Sequence, residues 1–154
     1  MRVIGVGTTL RGDDGAGLEV ARRLGADPPA GVEVVACGGG VAELIDAWDG
    51  ASSVLVIDAT RSGAPPGTVV ELSPTAASLA TRGGGTHDAG VGDAIALATA
   101  LGCLPPDVRV IGIEIGSTAL GQEALSPPVD QAVDAVVAQL RRYRDATASS
   151  STAL

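Results

Sequence analysis

The chemistry available to this chain rests on very few side chains. Asp13 and Asp14 stand side by side, Asp58 closes an apolar run, His87 is the single imidazole, and Cys37 is one of two thiols. Two carboxylates and one imidazole suit a borderline divalent ion such as nickel or zinc, with open positions left for substrate or water. A thiolate at Cys37 working with His87 would instead make a cysteine hydrolase. The chain contains no Lys, since every basic residue is Arg. That removes a P-loop lysine, a Schiff-base lysine and a Ser-Lys dyad together. No Ser sits in a G-x-S-x-G elbow. An enzyme built from this chain must therefore use carboxylates, the one His, a Cys, or a metal.

Each of these residues also has a plainer reading. Asp13-Asp14-Gly15 suits a helix start, where a carboxylate accepts free N–H groups and faces the positive end of the helix dipole. One of the pair is enough for that task, and the other is then free to act as a ligand. Asp58 ends the run Ser53-Val54-Leu55-Val56-Ile57-Asp58. A carboxylate there is costly to desolvate unless it is paired or bound to a cation. A turn into Ala59 and Thr60, or an ion pair with Arg61, would serve equally well. His87 lies in Gly83-Gly84-Gly85-Thr86-His87-Asp88, immediately before a predicted helix. Cys37 reads otherwise as a small loop residue, and Cys103 as packing. Gly5-Val6-Gly7 invites a dinucleotide-binding reading, but the third glycine of G-x-G-x-x-G is replaced by Leu10 and no acid ends the second strand.

The elements that must position these residues alternate along the chain. A strand over 2–7 precedes a helix over 15–24, with Asp13 or Asp14 at its start and Gly25 at its end. A strand over 32–36 leads to the loop Cys37-Gly38-Gly39-Gly40 and a helix carrying Val41, Leu44, Ile45 and Trp48 on one side. The run 53–58 reads as a central strand covered on both faces. After the Pro/Gly turn at 63–67 comes a shorter strand over 68–72, placed at an edge. Asp88 can cap a helix that uses Val91, Ile95, Ala98 and Leu101 and ends at Gly102. The strand 108–113 follows, and Ser126-Pro127 marks the start of a further helix. This order predicts a three-layer α/β/α sandwich on a mostly parallel, twisted, five-stranded sheet. Residues 1–143 are expected to form one domain, and 144–154 a tail without order. Ligands of such sheets gather beyond the carboxyl ends of the strands, where Asp14, Cys37 and Asp58 all fall.

Composition excludes several classes. The net charge of −8 lacks the basic footprint that nucleic acid requires and disfavours an anionic membrane surface. No apolar stretch is long enough to span a bilayer. The chain opens on a strand rather than a signal peptide, and two cysteines make no disulfide framework, so the cytoplasm is the expected compartment.

Three segments together resemble the hydrogenase maturation proteases. Gly5-Val6-Gly7-Thr8-Thr9-Leu10-Arg11-Gly12-Asp13-Asp14-Gly15-Ala16-Gly17 is similar to their opening motif. Val54-Leu55-Val56-Ile57-Asp58-Ala59, with Pro66-Gly67 after it, resembles the second. Thr86-His87-Asp88, leading into Gly92-Asp93-Ala94, resembles the histidine region. The resemblance runs from residue 1 to about 143. It implies an endopeptidase that removes a C-terminal extension from the large-subunit precursor of a nickel–iron hydrogenase once nickel has been inserted. It implies nickel carried by that precursor, no organic cofactor, and metal contacts from Asp14, Asp58 and His87. The family's segment after strand two, an Asp, a Cys or Gly, then Gly-Thr, appears here as Ala36-Cys37-Gly38-Gly39. Cys37, Gly38 and Gly39 are thus candidates for substrate contact, although the family's Asp and Thr are absent. The family's Asn after the opening G-x-G is Thr8. A non-catalytic, metal-recognising partner of the precursor is the alternative that these departures favour.

Overall fold

The computed structural model describes residues 1–80, 90–116, 118 and 120–150, with the side chains of 78–80 and 143–150 not described. Five strands form one sheet. They are β1 (Arg2–Val6), β2 (Glu33–Cys37), β3 (Ser53–Thr60), β4 (Val69–Leu72) and β5 (Asp107–Glu114). Their spatial order is β2-β1-β3-β5-β4. The first four in that order run parallel, and β4 alone is antiparallel, paired with β5 at the edge. The helices are α1 (Ala16–Ala26), α2 (Val41–Trp48), α3 (Pro74–Ala80), α4 (Val91–Leu101) and α5 (Pro127–Ser150).

Side-chain alternation along the central strands sorts the core into two layers. Leu55 and Ile57 of β3, with Ile111 and Ile113 of β5, pack against α1 and α5 through Val20, Leu24, Val129 and Val133. Val54 and Val56, with Val108 and Val110, pack on the opposite face against Leu44 and Trp48 of α2 and Ala94, Ile95 and Ala98 of α4. Both faces of β3 are therefore covered, which is why its sequence is continuously apolar. Lacking Phe altogether, the core is filled by branched aliphatics and Ala around one fully buried Trp48.

The three-layer arrangement and the mostly parallel sheet match the sequence reading, and several details differ from it. Neither Asp13 nor Asp14 caps α1. They lie in a short 3-10 turn, Gly12–Gly15, and the residue preceding α1 is Gly15, with no side-chain cap. Gly25 sits inside α1, which continues to Ala26. The residue preceding α4 is Gly90, whose N–H is accepted by Asp93 at 3.3 Å. Asp88 lies outside the described residues. Helix α3 was not foreseen. The backbone of α5 continues past residue 143 to Ser150, and residues 151–154 lie outside the description.

Close approach at the N-terminus of α1 fixes the rim of the sheet. A Cβ on Gly17 would lie 2.2 Å from the Val6 carbonyl oxygen and 2.3 Å from that of Ile57. A Cβ on Gly5 would meet the Gly17 carbonyl at 2.0 Å. Gly5 and Gly17 of the opening motif thus allow helix α1 to pack close against the strands. They bring the loop after β1 against the end of β3.

Candidate functional site

Four carboxylates converge on the rim formed by the carboxyl ends of β1, β3 and β5, and they fall into two kinds. Asp13 and Glu114 are buried and satisfied. Asp13 accepts hydrogen bonds from the Ser126 N–H (2.6 Å), the Ser126 hydroxyl (2.9 Å) and the Gly116 N–H (3.1 Å). It thereby ties the loop after β1 to the loop after β5 and to the start of α5. Glu114 accepts from the Thr60 and Ser62 hydroxyls and from the Ser62 and Gly63 N–H groups, at 2.9–3.0 Å. Burial pushes the Glu114 pKa up, but these donors outweigh it and hold the carboxyl below its ordinary value. Both acids are structural clasps.

Asp14 and Asp58 are the other kind. Each is partly buried. The Asp14 side chain makes no hydrogen bond or ion pair with the described residues. Asp58 has one hydrogen bond, from the N–H of the adjacent Ala59 at 2.8 Å. Burial pushes the Asp58 pKa up to about 7, with the Ala59 N–H opposing this and the charge of Asp14 adding to it. The alternative ion pair with Arg61 does not form among the described contacts. Arg61 instead donates to the Thr118 hydroxyl. Two neighbouring carboxylates with almost no donors between them have the electrostatics of a cation seat, because a positive ion would relieve both desolvation and mutual repulsion.

The described residues do not complete such a seat, since no group of three or more His, Cys, Asp or Glu side chains among them is placed to hold a metal. The third predicted ligand, His87, lies outside the described residues. Alternation along β3 puts Asp58 with Val54 and Val56, on the face that α4 covers. His87 precedes Gly90, the residue that opens α4, by three positions.

Cys37 ends β2 and is only 2% exposed. Burial pushes its thiol pKa up, and the charges of Glu43 and Asp58 act in the same direction, against the Gly39 N–H. The group stays a protonated thiol that solvent barely reaches, unlike an activated nucleophile. That environment does not favour the cysteine-hydrolase reading. Gly38 is exposed, and its N–H donates to Glu43 at 2.9 Å. Gly39 adopts φ +90 with its α-carbon facing Val6, so a side chain at this position would be strained. Sequence reading missed Asp13 and Glu114 as clasps. Their partners are too distant along the chain to signal the role.

Comparison with known proteins gives the family. The family model for HycI, hydrogenase maturation protease, matches residues 18–142. The chain belongs to the hydrogenase maturation protease family, a family of endopeptidases. Among its relatives is the hydrogenase expression/formation protein HupD of Rhodobacter capsulatus, 27% identical over 144 residues, covering 91% of this chain and 69% of the relative. The NiFe hydrogenase maturation protease HybD from Thermococcus kodakarensis superposes with a TM-score of 0.71 at 26% identity, covering 93% of this chain and 97% of that one. The hydrogenase maturating endopeptidase HybD from E. coli has a TM-score of 0.72 at 24% identity, with 92% of each chain covered. No helix of the described residues is long and apolar enough to cross a membrane.

Proposed function

We propose that this chain removes the C-terminal extension of a nickel–iron hydrogenase large-subunit precursor after nickel insertion. It recognises the nickel carried by that substrate through Asp14, Asp58 and His87. The observation that carries this reading is the contrast among the rim carboxylates. Asp13 and Glu114 are saturated with donors, whereas Asp14 has none among the described residues and Asp58, which feels its charge, has one. Nature of the ion aside, an acidic pair of that kind is poised for a cation brought from outside.

In this mechanism Asp14 and Asp58 complete the coordination of the precursor's nickel, and His87 supplies the third contact. Docking at the ion places the scissile peptide over the rim. Asp58 enters the complex ionised, shedding its proton as the cation replaces it. Nickel held there by Asp14, Asp58 and His87 would supply Lewis-acid polarisation for hydrolysis of the scissile peptide. Thr8, Thr9 and Leu10 on the loop after β1 and Gly38 on the loop after β2 are exposed, and are available to the substrate chain. The compartment that suits such a substrate is the cytoplasm.

The test uses nickel-loaded and nickel-free precursor with wild type and Asp58→Ala. Wild type is expected to shorten only the nickel-loaded form. Asp58→Ala is expected to lose processing by at least about a thousandfold while keeping wild-type circular dichroism, because an interaction made in the transition state is removed. Retained processing by Asp58→Ala would take this pair out of the mechanism. Tight binding of the loaded precursor by wild type without shortening would make the chain a non-catalytic metal-recognising partner.

A further inference from the structure

The loop that carries Asp14 has one residue whose conformation and environment are both unusual. Leu10 has φ +63, and it is the sole non-glycine residue with positive φ among the described residues. A left-handed backbone disfavours a residue with a Cβ, and Gly or Asn would occupy it with less strain. The same Leu10 is 54% exposed. An aliphatic side chain held in a disfavoured conformation and turned to solvent serves neither local geometry nor the core. Strained residues of this sort collect at binding and catalytic sites, where surrounding contacts hold them in place.

Those contacts are present. The loop closes at its base through the Thr8 N–H to the Asp14 carbonyl at 3.4 Å. On its outer side the Gly121 N–H donates to the Leu10 carbonyl at 2.8 Å, and the Gly12 N–H donates to the Gln122 carbonyl at 2.7 Å. Arg11 and Gln122 form a parallel bridge between them. The backbone of residues 10–12 is thus laid against that of 121–122, and Asp13 anchors the following turn to Ser126 and Gly116. This bracing holds Leu10 at the tip of a loop whose base carries the acid assigned to the metal. Leu120, 84% exposed, adjoins the residue that grips Leu10.

We infer that Leu10 is a specificity-determining residue. Its side chain receives an aliphatic side chain of the precursor beside the scissile bond, with Leu120 extending the apolar contact. The inference rests on the endopeptidase reading above. It explains why a leucine, rather than Gly or Asn, occupies a left-handed position. The backbone would be served better by either, so what the position offers is the apolar side chain.

The experiment compares wild type with Leu10→Asn and Leu10→Gly, both suited to the left-handed backbone. Cleavage of nickel-loaded precursor is expected to show KM raised about tenfold with kcat within about twofold, the scale of one lost apolar contact. Melting temperature is expected to stay level or rise. Affinity for nickel-free precursor, measured by fluorescence anisotropy without turnover, is expected to fall about tenfold in parallel. KM and affinity within twofold of wild type in both variants would overturn the inference, and so would a loss traced wholly to a lowered melting temperature. Failure of wild type to cleave would strike the endopeptidase reading instead, leaving the anisotropy comparison to decide the role of Leu10.

Discussion

Asp58 pays for its place with a carboxyl that resists ionisation, and this gives the rim a pH signature. Its folded-state pKa of about 7 lies above the ordinary 3.8. Between those values the folded chain keeps a proton that the unfolded chain has released. Stability from this group is therefore present at low pH, falls as pH rises through that window, and levels off above about 7. Asp58→Asn removes the effect and is expected to stabilise the metal-free protein at pH 8 by about 1–3 kcal/mol relative to pH 4, after discounting for partial solvent screening. Urea denaturation at the two pH values checks it, and an equal difference for wild type and variant would refute it. Glu114 behaves with the opposite sign. Its lowered pKa contributes stability above about 4.5 that is lost as pH falls through the folded value. Glu114→Ala, which strands the donors of Thr60, Ser62 and Gly63, is expected to cost about 2–4 kcal/mol at pH 7. Thermal melts measure this, and a loss below about 0.5 kcal/mol would mean that water replaces the carboxylate freely.

At the scale of elements, the joint between β1, β3 and α1 decides whether Asp14 meets Asp58. Gly17→Ala would force a methyl into the carbonyls of Val6 and Ile57, backbone atoms that cannot move aside. The expected cost is at least about 3 kcal/mol, read as a lowered denaturation midpoint or loss of soluble protein. A wild-type midpoint would show that α1 shifts without penalty. This joint was partly legible. The glycines and the apolar runs of β1, β3 and β5 announced the strands and a tight turn, and alternation with helices announced the layers. What escaped the sequence was non-local. Asp13 looked like a cap because its true partner, Ser126, is 113 positions away. Helix α3 escaped because Pro74-Thr75-Ala76-Ala77 offers small residues without an apolar stripe, and Ala77 is its one buried apolar side chain among those described. The signal was nonetheless there. Ser73 caps Ala76 at 3.2 Å, and Ser73-Pro74 repeats the Ser126-Pro127 pattern that did mark α5. The reversed direction of β4 depends on which neighbour it meets, which its own residues do not encode.

Across the whole molecule, α1 and α5 form one outer layer held by more than apolar contact. The Arg23 guanidinium reaches Glu19 at 2.7 Å on its own helix, and Asp130 and Asp134 on α5. Hydrogen bonding from Arg22 first, and from Arg23 next, holds the Glu19 carboxyl down at about 2 despite its partial burial. In a chain of net charge −8, removing that cation leaves Asp130 and Asp134 without a partner beside Glu19, which keeps Arg22. Arg23→Ala is expected to cost about 1–2 kcal/mol, more in low salt than in 0.5 M salt, since surface pairs are screened. Denaturation at the two ionic strengths checks the prediction, and a salt-independent loss would assign it to packing.

The bond between Asp13 and Ser126 also orders events in time. A nascent polypeptide that has cleared the ribosome only as far as β3 already contains both acids of the proposed nickel seat. It still lacks the hydroxyl and amide that pin the acidic loop. The seat is consequently a late product of synthesis, and fragments released before residue 126 emerges would carry both of its acids without the bond that shapes their loop.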